Sequence, residues 1–171
     1  MRTTDGPGHK PFEDQRRVAA DLRALARLSP VAAMLNKSCT RRKLTRREQR
    51  DLDIEITFME GIVLRDPQFA EAWKVLSDAY SRRGKLEDGL RVDEHLARIQ
   101  PDDPAVLYNL ACSYSLSKNF DSAASVLSRA ISNGFIDFKW LMKDPDLGPL
   151  RKEPSFKKVW AKISALHTEA E

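Results

Sequence analysis

The sequence has few of the residues that usually carry chemistry. Its 171 residues include two cysteines, Cys39 and Cys112, and three histidines, His9, His95 and His167. Two cysteines this far apart in sequence define no disulfide framework, and neither sits near a histidine at zinc-ligand spacing. There is no glycine-rich phosphate loop, no G-x-S-x-G elbow and no H-E-x-x-H pair. Apolar runs extend for only a few residues, too short for a membrane-crossing helix. The segment 1–10 carries glycine and charge where a signal peptide needs an apolar segment. These absences argue against an enzyme, against any cofactor or metal, and against a membrane protein. They suit a reducing, cytoplasmic setting.

Two acidic groups look like candidate sites and are better read otherwise. Asp51, Asp53 and Glu55 alternate, but on a helix only Asp51 and Glu55 share a face, so they read as solvated acids. Asp144 and Asp146 flank Pro145 and read as turn and cap residues.

The net charge of +4 conceals an asymmetry. Residues 1–50 hold 13 Lys/Arg against 5 Asp/Glu, whereas residues 51–171 hold 16 against 20. The surplus is densest at Lys37, Arg41, Arg42, Lys43, Arg46, Arg47 and Arg50. Clustered cations are the footprint of phosphate binding. No aromatic interrupts the run, so it offers no stacking platform for single strands. Two readings stand: a linker whose charges offset Asp51, Asp53 and Glu55, or a patch for nucleic acid or another anionic surface.

Along the chain, residues 1–11 are expected to be a disordered tail and residues 12–44 N-terminal helices followed by the basic linker. Val18, Leu22, Leu25 and Leu28 fall on one helical face before Ser29-Pro30. Residues 45–171 are expected to form a helical repeat domain. Thr45 with Glu48 is a capping-box pattern that should open a helix of about 20 residues, ending at Asp66-Pro67. Helix pairs are expected at 68–83 with 85–100, and at 104–117 with 120–133. Gly84 and Gly134 close a helix in each. A short helical piece follows at 137–142, then a turn at DPDLGP. A last helix opens at Pro154, with Phe156, Val159, Trp160, Ile163 and Leu166 on its apolar face.

The two pairs share one pattern at a spacing of 34 residues. Trp73, Leu76, Ser77, Tyr80 and Gly89 are matched by Leu107, Leu110, Ala111, Tyr114 and Ala123, whereas the last two pairs, Leu96 with Ala130 and Pro101 with Phe135, differ in size. A fixed period of this length marks stacked helix pairs. W-x2-L-S-x2-Y and L-x2-L-A-x2-Y, each followed by a small residue at its proper distance, resemble the tetratricopeptide repeat. FKWLMKDPDLGPLRKEPSF resembles the D-P-D-L-x-P-L-R segment that closes such repeats in bacterial proteins. Asp93, where a large apolar residue is usual, and Phe135, where a proline is usual, depart from the pattern.

The resemblance implies an all-α solenoid acting as a protein–protein adaptor on the concave wall of its first-arm helices. By position, the wall residues are Glu71, Lys74, Asp78, Ser81 and Arg82 in unit one. In unit two they are Ala105, Tyr108, Asn109, Cys112 and Leu116. Tyr108 would act as a rigid anchor on an open wall, or pack against the next helix. Some members clamp a peptide carboxylate; Lys74, Asn109, Lys139 and Lys143 fall at such positions, but Asp78 replaces the expected Asn and would repel the ligand. The implied partner is a peptide or protein surface, with RNA through the basic segment as the alternative. The chain is expected to be a monomer or a weak oligomer.

Overall fold

The computed structural model describes residues 43–168. They belong to the second of the two compact units into which the chain divides, Ser38–Glu171. The expected tail, the N-terminal helices and the basic residues Lys37, Arg41 and Arg42 lie outside the described residues.

Among the described residues the secondary structure is all helical. Helix α1 (Arg46–Arg65) precedes two antiparallel pairs, α2 (Ala70–Arg83) with α3 (Leu86–Ile99) and α4 (Pro104–Leu116) with α5 (Phe120–Ser132). A single-turn α6 (Phe138–Leu141), a 3-10 turn (Leu150–Lys152) and α7 (Phe156–Thr168) complete it. Each long helix packs against the next in the chain, and α7 returns to cover α5. The chain is therefore a short solenoid of tetratricopeptide-like helix pairs.

Local chemistry sets the boundaries. The Thr45 hydroxyl accepts from the Glu48 amide while the Glu48 carboxylate accepts from the Thr45 amide, closing the capping box. Asp103 and Asn119 cap α4 and α5 through their side chains, and Pro104 fills the first helical position of α4. Gly84 ends α2 at φ +77°, a left-handed conformation that costs glycine little. Thirty-four residues on, Lys118 takes the same conformation at φ +61°, without the glycine that would relieve it.

The repeat residues form the core as their spacing predicts. Leu76, Leu96, Leu107, Leu127 and Ala130 are buried, as are Leu141, Leu147 and Leu150 of the closing segment. Phe156, Val159 and Ile163 of α7 are buried as well, but Trp160 of the same predicted stripe stays half exposed.

Candidate functional site

The wall of unit two is not open. Tyr108, only 2% exposed, donates its hydroxyl to Asp144 Oδ2 at 2.6 Å, and its ring stacks on Phe135 with centroids 4.3 Å apart. The Cys112 thiol lies 3.8 Å from the same carboxylate oxygen. Ser115 Oγ accepts from the Leu150 amide at 3.3 Å. Ala105 is buried, and Asn109 and Leu116 are half-buried. The closing segment itself is fastened by Arg151, which donates to the carbonyls of Leu141 (2.9 Å) and Asp144 (2.7 Å). A partner reaches Tyr108 and Cys112 only by displacing this segment. Burial pushes the Cys112 thiol well above its ordinary pKa, and the Asp144 charge adds to the effect, so it stays protonated rather than nucleophilic. Phe135, the departure from the closing proline, is what Tyr108 stacks against.

Among the described residues, the wall of unit one is charged and partly exposed. Along α2, Lys74 reaches Glu71 at 3.0 Å and Asp103, the cap of α4, at 3.9 Å. Arg82 lies 3.5 Å from Asp78 and 4.0 Å from Glu55 of α1. Glu71 and Arg82 are exposed, whereas Lys74, Asp78 and Ser81 are half-buried. Ile54 and Phe58, four apart on α1 beside Glu55, are 61% and 64% exposed. Of the clamp positions, Lys74 is engaged with these acids, while Lys139 and Lys143 are exposed in the closing segment.

The acids beside the basic run are only partly its counterions. Arg47 reaches Asp51 at 3.9 Å, but Asp53 makes a two-pronged pair with Arg83 of α2, at 2.8 and 3.2 Å. The hydrogen bond from Arg83 holds the Asp53 carboxyl below its ordinary pKa. Lys43, Arg46 and Arg50 are exposed and form no ion pair among the described residues.

Asp93 joins the two helix-pair repeats. It is buried in α3, and its carboxylate accepts from Ser77 of α2 and from Ser113 of α4, each at 2.5 Å. Burial pushes its pKa up to about 6, against the lowering effect of both serines. Sequence alone marked Asp93 as an anomaly, but its donors lie 16 and 20 residues away and carry no local signal.

A groove of about 600 Å³ between α1 and α3 was not legible either. Trp73 Nε1 donates to the Pro67 carbonyl at 2.9 Å, and the indole lies 4.2 Å from the His95 ring. Among the described residues no cluster of His, Cys, Asp and Glu could hold a metal, and no helix is long and apolar enough to cross a membrane.

Helix pairs at a 34-residue spacing with a closed end define the class: a short tetratricopeptide-like helical-repeat protein. No protein-family model matches the chain. It is similar to a chloroplastic protein of Arabidopsis thaliana, 33% identical over 103 residues, which is 57% of this chain and 31% of that protein. It is also similar to "PEX5-related protein" of Mus musculus, 27% identical over 132 residues, 74% of this chain and 23% of that one; the Homo sapiens protein of that name aligns over the same length. The chain thus spans a third or less of these relatives, which support a tetratricopeptide-like helical-repeat family.

Proposed function

We propose that this chain is a non-enzymatic adaptor that binds a peptide or protein surface on the wall of unit one. The observation that carries this reading is the contrast between the two walls. Unit two is filled by the chain's own closing segment, whereas α2 presents Glu71, Lys74, Asp78 and Arg82, with Arg82 reaching Glu55 of α1. Alternating charges along the wall give a partner register and complementarity. Lys74 also braces Asp103, so the informative variants are the exposed Glu71→Arg and Arg82→Glu. Affinity capture from source-cell lysate, with and without nuclease, is expected to retain protein partners after nuclease treatment. Both variants should lose them with unchanged helicity; undiminished capture by both would remove the wall from the function.

Exposed Lys43, Arg46 and Arg50 support a second reading, an RNA- or ribosome-associated factor. It requires nuclease-sensitive partners and binding that falls steeply with salt. Neutralising Lys43, Arg46, Arg47 and Arg50 should flatten that slope.

A further inference from the structure

The C-terminal end of the solenoid carries a feature that the adaptor reading does not use. Residues 136–171 hold seven Lys/Arg against six Asp/Glu, whereas residues 46–135 hold 12 against 15. Of those acids, Asp144 is buried against Tyr108, while Asp137 accepts from the Trp140 amide at the start of α6 and keeps its charge. Three cations, Arg151, Lys152 and Lys157, stand around the groove between the 3-10 turn and α7 against one acid, Glu153. Arg151 spends its hydrogen bonds on two carbonyls, which fix it without neutralising it, and Lys152 and Lys157 make no ion pair among the described residues.

Between the 3-10 turn and α7 lies an open groove of about 520 Å³. Its apolar surface comes from Met142, Pro154, Phe156 and Trp160, with Lys152 and Lys157 also lining it. Phe156 is buried, but Trp160 remains 50% exposed and Met142 40% exposed. A half-exposed indole beside a thioether is the kind of surface that gains most from being covered.

We propose that this groove docks an acidic peptide segment bearing one large apolar side chain. The apolar residue would sit against Trp160 and Met142 while flanking carboxylates meet Lys152 and Lys157. Charge complementarity sets the sign of the partner, because Arg151, Lys152 and Lys157 line the groove against Glu153 alone. The groove suits a peptide better than a nucleic acid: it exposes a single aromatic rather than a row of stacking platforms, and Glu153 lines it as well. The site is separate from the α2 wall, so each can fail without the other.

The test is fluorescence polarisation on the full chain with labelled, capped peptides in which Leu, Trp or Ala is flanked by Asp and Glu. A Lys-flanked peptide and a labelled single-stranded oligonucleotide serve as comparisons. Saturable binding is expected for the acidic Leu and Trp peptides only. Trp160→Ala should weaken it by about tenfold or more, the loss of one anchor. Lys152→Glu with Lys157→Glu should do the same at surface positions that leave the core intact, checked by an unchanged thermal melt. Failure of every acidic peptide to saturate would overturn the proposal, as would equal binding by both variants or preference for the oligonucleotide. Loss in Arg82→Glu with retention in the lysine variant would move the peptide to the α2 wall and equally overturn it.

Discussion

Replacing Asp93 with asparagine probes the joint between the two units. The wild-type carboxyl titrates near 6 in the folded chain, against an ordinary value of 3.8. At about 1.4 kcal/mol per pH unit, that difference corresponds to about 3 kcal/mol. The folded value lies above the unfolded one, so between about pH 4 and 6 the folded chain holds the extra proton. Stability therefore declines as pH rises through that window and levels off above about 6. Asparagine keeps the shape, accepts from one serine, donates to the other and carries no charge. Urea unfolding of both proteins should give similar stabilities near pH 4. At pH 7.5 the variant should be more stable by about 1–3 kcal/mol, the lower figure reflecting the loss of two charge-assisted bonds. Other titrating groups, including Asp53 with its opposite sign, are common to both proteins and cancel in the difference. A variant that is less stable by the same amount at both pH values would refute the reasoning, because the carboxylate would then be a net asset in its ionised form.

Four other substitutions follow from particular contacts. Lys118→Gly should stabilise the chain by about 1 kcal/mol in thermal unfolding, since it relieves a left-handed residue. Gly61→Ala, mid-helix in α1 with open space around its added methyl, should gain up to about 1 kcal/mol by urea titration. Tyr108→Phe should cost about 1–3 kcal/mol by leaving Asp144 Oδ2 only the weak Cys112 thiol as a side-chain donor; a neutral result would mean that water replaces the hydroxyl there. Thr45→Ala should cost about 1 kcal/mol and speed amide exchange in the first turn of α1.

Much of this fold was legible because its determinants are local or periodic. The Thr45–Glu48 box, Gly84 and the 34-residue spacing each act within a turn or repeat at fixed intervals. What escaped was long-range pairing outside the period. Nothing around Asp93 announces Ser113, and nothing around Tyr108 announces a carboxylate 36 residues on. Wall positions were assigned from the repeat, whereas their exposure depends on the irregular segment that settles over unit two. Helical spacing likewise put Trp160 on the buried stripe, but among the described residues α7 packs chiefly on α5, so that stripe is only partly covered.

The seating of the closing segment also fixes the order of the repeats. The positions of unit one that correspond to Tyr108 and Cys112 are Lys74 and Asp78. Were unit one placed last, Asp144 would lose its phenol and face another carboxylate. A similar mismatch arises upstream, where the counterpart of Ser113 is Ala79, so a tandem copy of unit one would deprive the first Asp93 of a donor. The two modules are therefore not interchangeable, and any lengthening of the array has to preserve unit two as its terminus.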